Sequence, residues 1–277
     1  MKEVVLKKDV IKEELNTEIP ENIKEFVKVE DCAGFPIDTY FMTRDLMLIA
    51  DEVVQAEKVK QIMKIEYRRK YLNSTLLYGP PGTGKTTFAR YVAYKMELPF
   101  VYLNFSKIVE GGIFGNSIQN INQIFTALRD VNCIFTLDEL DTIATNRNKE
   151  SAVTGGELSR MTVTVMQMLD DYKQSYASPI ILGLTNCEQK LDKALISRFS
   201  IHRKVDILNN DDKMKYIRLL LEDLHVKIDD AVIKEYCADN HDLSQRGIEN
   251  DINRGLFRWI CNGRKEFCLE HIVDEAI

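Results

Sequence analysis

From about residue 40 to residue 207, short apolar runs alternate with longer stretches of helical periodicity. The apolar runs have the length of buried strands and fall at residues 76–78, 99–103, 133–137 and 179–184. Between them, apolar residues recur at three- and four-residue spacings typical of helices. Strands that alternate with helices in this way predict a parallel sheet covered by helices on both faces.

The strand pattern stops after about residue 208. Three helical patterns follow, at residues 210–224, 229–238 and 244–262, and the last has a clear apolar stripe. The chain is therefore expected to be of the α/β class, with a small all-helical domain at its carboxyl end.

We place the large α/β domain at residues 29–207 and the helical domain at 208–277. Residues 1–28 form a Lys- and Glu-rich arm with an amphipathic helical pattern that breaks at Pro20. The pattern favours a packing extension, and the alternative is a docking arm for an adaptor protein.

Composition is that of an ordinary globular protein. Of the 277 residues, 45% are hydrophobic and 29% are charged, with a net charge of −6. This acidic balance argues against a protein that coats nucleic acid.

The six cysteines contain no C-x-x-C pair and the four histidines are dispersed, so we expect reduced thiols and no metal cluster. We find no signal peptide and no apolar run of about 20 residues, which predicts a cytoplasmic protein without a membrane span.

The apolar run at 76–78 leads into a motif that fits G-x-x-x-x-G-K-[ST]. The motif consists of Gly79, Pro80, Pro81, Gly82, Thr83, Gly84, Lys85 and Thr86, followed by Thr87. Glycines allow backbone N–H groups to close around phosphate oxygens. Lys85 can reach the β- and γ-phosphates, the Thr86 hydroxyl can ligate Mg²⁺, and the following helix presents its N-terminus to the same phosphates. The pattern predicts a nucleotide-binding P-loop and hence a P-loop NTPase sheet.

Two more strand patterns end in polar side chains. Asp138 and Glu139 follow the run at 133–137, and Asn186 follows the run at 179–184. The carboxyl ends of parallel strands meet at one edge of the sheet, near the P-loop. Asp138 can hold Mg²⁺ there, and Glu139 can act as general base on the attacking water. Asn186 can orient that water or contact the γ-phosphate, although an Asn in this place also commonly ends a strand. Together these residues predict ATP hydrolysis.

The sequence resembles the AAA+ ATPases in the order and spacing of three segments. They are the P-loop motif, residues 137–144, and Thr185-Asn186 followed by residues 191–195. The resemblance is to the AAA clade, which includes the protein-remodelling enzymes, and it covers about residues 29–260. It implies that Asn186 is the sensor-1 residue and that the helical domain is the lid.

The resemblance also implies an arginine finger at Arg198, which would act on ATP bound in the neighbouring subunit. A guanidinium delivered in this way neutralises charge that develops on the γ-phosphoryl group. The sequence departs from the family here, because Ser200 stands where an aspartate is usual and the second arginine of the family is not evident. Arg203 could substitute for it.

Other roles are implied in the same way. Cys32 and Ala33 match the segment that cradles adenine, and Arg246 falls where many AAA+ proteins have a sensor-2 arginine. Ile113 and Phe114, flanked by glycines, align with the pore loop that grips a threaded polypeptide. The alternative for this loop is a turn packed against its own core.

The leading interpretation is a homo-oligomeric ring, with a hexamer favoured, that uses ATP and Mg²⁺ to remodel or thread a protein substrate. The first alternative is a nucleic-acid-associated AAA+ ATPase of the clamp-loader, helicase-loader or transposition-helper type. Arg246 favours that alternative, whereas the acidic composition does not. A second alternative is an ATP-gated scaffold with slow turnover, against which Glu139 and Asn186 argue.

Overall fold

The computed structural model describes residues 20–111, 116–144, 154–175, 177–264 and 267–269. The chain divides into two compact units. The α/β unit comprises residues 1–35, 45–79 and 85–204, and the helical unit comprises residues 36–44, 80–84 and 205–277. Each unit has its own hydrophobic core.

The α/β unit is built on a sheet of six strands in the order β1-β3-β4-β5-β2-β6. The strands are β1 (Val27–Glu30), β2 (Ser74–Tyr78), β3 (Phe100–Asn104), β4 (Ile134–Asp138), β5 (Ile180–Thr185) and β6 (Ile201–Lys204). Strands β2 to β6 pair in parallel, and β1 pairs with β3 antiparallel. The central strands are almost fully buried because helices cover both faces, which explains their continuous apolar runs.

Among the described residues, six α-helices belong wholly or mainly to this unit. They are α1 (Arg44–Ile65), α2 (Lys85–Met96), α3 (Phe105–Gly111), α4 (Ser117–Leu128), α5 (Thr154–Tyr172) and α6 (Lys193–Ile196). Helix α4 buries Ile121, Ile124 and Phe125, and the Phe125 ring contacts Phe135 of β4 at 5.1 Å between centroids. Apolar side chains at helical spacing thus fix this helix against the sheet.

The register of the sheet brings the carboxyl ends of its strands together. Asn104 at the end of β3 lies opposite Asp138 at the end of β4. Tyr78 at the end of β2 lies opposite Thr185 at the end of β5. The segments that follow these strands therefore leave the sheet at one edge, where parallel α/β folds bind ligands.

The helical unit contains α7 (Asn210–Asp223), α8 (Asp230–Asp239) and α9 (Gln245–Cys261). Side chains of Asn209, Asp229 and Ser244 cap the three helices by accepting hydrogen bonds from backbone N–H groups of the first turn. Buried residues at helical spacing, including Ile248 and Ile252 on α9, form the core of the unit.

The predicted fold class is confirmed, and two details differ from the expectation of a parallel sheet. Strand β1 is antiparallel, and β1 and β6 were not anticipated from the sequence. Both are four-residue edge strands in which charged residues interrupt the apolar pattern, so neither gives an apolar run.

Of the arm predicted at 1–28, residues 1–19 lie outside the described residues, whereas Ile23 and Phe26 are buried in the α/β core. None of the described helices is long and apolar enough to cross a membrane.

Candidate nucleotide site

In the α/β unit, Lys85 is the first residue of α2 and follows the glycine-rich loop. Its side chain is buried, and its Nζ donates a hydrogen bond to the carbonyl oxygen of Gly79 at 2.8 Å. Gly79 has φ 148°, a value that only glycine adopts readily. The two ends of the predicted loop are thus tied together by the lysine that the sequence assigns to the phosphates.

The rest of the loop, residues 80–84, belongs to the helical unit. Gly82 and Gly84 have φ values of 77° and 81°. A methyl group on Gly82 would lie 2.6 Å from Ser244 Oγ, so this position requires glycine for space as well as for conformation. The Gly82 carbonyl oxygen accepts a hydrogen bond from the backbone N–H of Arg246 at 3.2 Å.

The structure therefore brings Arg246 beside the loop through its backbone, while its side chain is exposed. Gln245, which was not singled out in the sequence, donates from Nε2 to the carbonyl oxygen of Thr83 at 3.3 Å. Thr83 in turn donates from its hydroxyl to the carbonyl oxygen of Pro80 at 3.0 Å. The first turn of α9 thus holds the loop through two residues, and Ser244 provides the cap that starts this helix.

Asp138 is the centre of a hydrogen-bond network at the end of β4. Its Oδ2 accepts from the Thr86 hydroxyl at 3.0 Å and from the Tyr102 hydroxyl at 3.0 Å, and its Oδ1 accepts from the backbone N–H of Glu139 at 2.8 Å. Thr86 and Asp138 were predicted as the Mg²⁺ ligands, and the fold places them in direct contact. A hydroxyl and a carboxylate fit Mg²⁺, which takes oxygen ligands and often uses few from the protein beside phosphates and water.

Tyr102 is a member of this network that the sequence did not reveal. Burial, followed by the charge of Asp138, raises the pKa of Tyr102 to about 12, so the hydroxyl stays protonated and donates to the carboxylate. Asn104 Nδ2 donates to the same hydroxyl at 3.4 Å. A tyrosine inside an apolar run looks like a core residue, and its role follows only from the pairing of β3 with β4.

Glu139 adopts the left-handed conformation, with φ 56° and ψ 42°. For a residue with a side chain this costs about 1–2 kcal/mol relative to the right-handed helical region. The turn leads directly into a 3-10 turn at Leu140–Thr142. Backbone strain concentrates at functional sites, and here it falls on the predicted general base.

Asn186 lies directly after β5 and is exposed. Its backbone N–H donates to Asp141 Oδ1 at 3.3 Å, and the neighbouring Thr185 hydroxyl donates to the same oxygen at 2.8 Å. Asp141 thus connects the segment after β4 to the end of β5. It had no assigned role in the sequence, and it fixes the backbone from which Asn186 projects.

Arg198, the predicted arginine finger, is held within its own chain. Its Nε lies 3.2 Å from Asp170 Oδ2, and one terminal nitrogen donates to the carbonyl oxygen of Ala194 at 2.6 Å. The next residue, Phe199, is buried, and its ring occupies the space that a side chain on Gly183 would need. The proposed second arginine, Arg203, forms an ion pair with Glu52 of α1, with Nε 2.8 Å from Oε2.

The segment predicted to cradle adenine packs against α2, the helix that follows the P-loop. Arg90 of α2 makes a two-point ion pair with Glu30, and the Phe35 ring stacks on Tyr94 at 5.8 Å between centroids. Between them, Cys32 is buried, and burial followed by the charge of Glu30 raises the pKa of its thiol to about 11. The backbone N–H of Ala33 donates to Asp31 Oδ1 at 2.9 Å. Ile113 and Phe114 lie outside the described residues.

Comparison with known proteins supplies independent evidence. The family described as "ATPase family associated with various cellular activities (AAA)" matches residues 75–207. The chain is 28% identical over 220 residues to an ATP-dependent zinc metalloprotease FtsH of Clostridium perfringens, covering 77% of this chain and 29% of that protein. It is 26% identical over 213 residues to a 26S proteasome regulatory subunit 8 homolog B of Arabidopsis thaliana, covering 73% of this chain and 49% of that protein. The chain therefore spans half or less of the length of these relatives.

A solved structure supports the same fold. The crystal structure of a FIGL-1 AAA domain in complex with ADP superposes with a TM-score of 0.67 at 19% identity, covering 94% of this chain and 85% of that one. The resemblance predicted from the motifs is thus confirmed by the family match and by the fold. On this evidence residues 75–207 match the ATPase domain of the AAA family, and the chain has the fold of an AAA domain.

Proposed function

We propose that this chain binds ATP with Mg²⁺ and hydrolyses the ATP to ADP and phosphate. The observation that carries the proposal is the hydrogen bond between the Thr86 hydroxyl and the Asp138 carboxylate. It joins the first turn of α2, directly after the P-loop, to the end of β4, directly before Glu139. Two oxygen groups that suit Mg²⁺ and a glutamate with a strained backbone, together with a phosphate-binding loop, are the parts that ATP hydrolysis needs.

Each residue has a separate task in this proposal. Lys85 turns its amine from the Gly79 carbonyl to the β- and γ-phosphates, and backbone N–H groups of the loop bind phosphate oxygens. Mg²⁺ held by Thr86 and Asp138 would neutralise charge that develops on the phosphates. Glu139 accepts a proton from the attacking water, and Asn186 positions that water.

Two further segments complete the proposed ATP site. Cys32 and Ala33 contact the adenine, and the ion pair between Glu30 and Arg90 supports this by fixing the segment on α2. Arg246 reaches the nucleotide from the first turn of α9. The hydrogen bond from the backbone N–H of Arg246 to the Gly82 carbonyl oxygen, within the helical unit, supports this.

We propose that the active form is a homo-oligomeric ring, with six subunits favoured, that remodels or threads a protein substrate through Ile113 and Phe114. The regulatory subunit of the 26S proteasome and the FtsH metalloprotease among the relatives support a protein substrate. In the ring, Arg198 would act on ATP in the neighbouring subunit. Its ion pair with Asp170 is partly exposed, and such pairs stabilise by only about 0.2–1 kcal/mol, so the arginine can be released at little cost. An adaptor bound through residues 1–28 and a cytoplasmic location stay predictions.

The test is the ATPase rate of the purified protein, measured alone, with casein, and with single-stranded and duplex DNA. We expect Glu139→Gln to lower the rate at least about 100-fold, the usual contribution of a general base, while fluorescent ADP still binds. Glu188→Gln, which changes a half-buried glutamate after β5, is the matched control. An unchanged rate in Glu139→Gln would refute the assignment of the base.

The same assay separates the substrate classes. Stimulation by casein that is lost in Phe114→Ala supports threading of a polypeptide. Stimulation by DNA alone would instead favour the nucleic-acid-associated class, for which the exposed Arg246 is the supporting observation.

A further inference from the structure

A basic pocket of about 430 Å³ lies in the α/β unit at the carboxyl end of α1. Its lining contains no acidic residue and five cationic ones, namely Lys64, Arg68, Arg69, Lys70 and Lys173. This is unexpected in a chain whose net charge is −6. The cations come from two separate stretches of sequence, so the fold creates the cluster.

The acidic side chains among the described residues do not neutralise the cations of the pocket. Lys173 pairs with Asp170 at 3.3 Å. Within the described residues, no carboxylate lies at ion-pair distance from the exposed side chains of Arg68, Arg69 or Lys70. The pocket therefore keeps several positive charges close together, and their repulsion would be relieved by a bound anion.

Lys64 forms a buried part of the pocket. It is 4% exposed, and its amine donates to the carbonyl oxygen of Ser175. Burial, followed by the charge of Lys60, lowers the pKa of Lys64 to about 8. The charged form of Lys64 is thus less favoured than that of an exposed lysine, and the exposed cations carry most of the positive charge of the pocket.

The end of a helix does not account for the cluster. The carboxyl end of a helix carries about half a negative charge, which one or two cations already balance. Arg68 also adopts φ 50°, in the left-handed region where glycine is the usual residue, and the Arg69 N–H bonds back to the Met63 carbonyl oxygen at 2.9 Å. Glycine would suit this backbone, and a left-handed residue is a common way for a helix to end.

We propose that this pocket binds clustered phosphate groups, carried either by a multiply phosphorylated small molecule or by a lipid headgroup. Guanidinium groups match phosphate oxygens in two-point hydrogen bonds, and the pocket has the size of a small-molecule site. The pocket has a compact lining of seven residues, whereas proteins follow a nucleic-acid backbone with a long groove. Ile65, which lines the pocket, and Tyr67, which precedes Arg68 in sequence, are more than 60% exposed, as a membrane-facing rim would be. The proposal does not depend on ATP hydrolysis.

The test uses the full chain with ADP and Mg²⁺ added, so that the P-loop is not open to the probe. Inositol hexakisphosphate binding is measured by calorimetry, and vesicle binding by co-sedimentation with phosphatidylcholine alone or with added phosphatidylinositol bisphosphate. The site variant is Arg68→Gly with Arg69→Ala and Lys70→Ala, in which glycine suits the backbone of residue 68. The control replaces the exposed Lys58, Lys227 and Lys234 by Ala and removes the same charge.

We expect the site variant to bind inositol hexakisphosphate about 100-fold more weakly, at about fivefold per cation, and the control to bind like wild type. Binding of the soluble probe without vesicle binding would identify a soluble ligand, and binding to both would identify a headgroup site. The proposal would be overturned if the two triple variants lost inositol hexakisphosphate binding equally. It would also be overturned if Lys85→Ala lost this binding while the site variant kept it. Binding of duplex DNA but not of inositol hexakisphosphate would also overturn it, in favour of a nucleic-acid surface.

Discussion

Replacing Tyr102 by Phe removes one hydroxyl and tests how the proposed Mg²⁺ ligand is held. In the structure Asp138 accepts from Thr86, Tyr102 and the Glu139 backbone N–H. When the Thr86 hydroxyl turns to Mg²⁺, Tyr102 is the remaining described side chain that donates to this carboxylate. The variant should therefore leave Asp138 less firmly oriented in the metal-bound state.

The size of the effect follows from the hydrogen bond that is lost. A bond to a charged acceptor contributes about 1.5–3 kcal/mol, and every 1.4 kcal/mol is tenfold in affinity. Partners of metal ligands typically change metal affinity by about 10–100-fold. Since Tyr102 is partly exposed, we expect the lower end, a tenfold increase in the Mg²⁺ concentration that half-saturates binding.

The assay is fluorescent ADP binding titrated with Mg²⁺, followed by the ATPase rate over the same Mg²⁺ range. Binding without Mg²⁺ should be unchanged in Tyr102→Phe, because the hydroxyl acts through Asp138. Tyr94→Phe is the matched control, since its ring packs on Phe35. Unchanged or tighter Mg²⁺ binding in Tyr102→Phe would refute the reasoning, even if the ATPase rate fell. Because the pKa of Tyr102 is about 12, the effect should be the same from pH 7 to pH 9.

The ion pair between Glu30 and Arg90 predicts a dependence of stability on pH. The hydrogen bond from Arg90 is the main reason that the pKa of Glu30 falls from 4.5 to about 2, so its stabilisation is present above pH 4.5 and lost as the pH falls towards 2. We expect Glu30→Gln to lower the free energy of unfolding by about 1–2 kcal/mol at pH 7, a value reduced because the ion pair is partly exposed. Near pH 2 the substitution should leave the free energy of unfolding unchanged. Thermal melts measure the effect, and Glu25→Gln at an exposed position is the control. We expect Arg198→Ala to lower the ATPase rate by about 10³-fold or more. Mixing Arg198→Ala subunits with Glu139→Gln subunits should restore activity. Mixtures that stay inactive would contradict a role of Arg198 between subunits.

Part of this protein could be predicted from local sequence alone. The P-loop motif requires particular residues at fixed spacing, because backbone N–H groups and one lysine must surround phosphate within a single turn. The central strands are buried on both faces, so their apolar runs are continuous and easily recognised. The chemistry at 79–86 and at Asp138 and Glu139 therefore follows from consecutive residues.

Other features depend on which distant residues the fold brings together. Strand β1 was missed because an edge strand needs no apolar run, and its identity depends on pairing with β3. Tyr102 looks like a core residue until the register of β3 and β4 places its hydroxyl on Asp138. The same is true of Asp141, whose bonds to the end of β5 have no signature in the sequence.

The basic pocket and the state of Arg198 were also decided only by tertiary structure. Lys173 is far from the cations at 64–70 in the chain, and only the packing of the α/β unit brings them to one cavity. The sequence predicted that Arg198 acts on ATP in a neighbouring subunit, whereas the fold shows that it pairs with Asp170 of its own chain. Short motifs are determined by what a ligand requires of consecutive residues, but the contacts that tune them depend on the path of the whole chain.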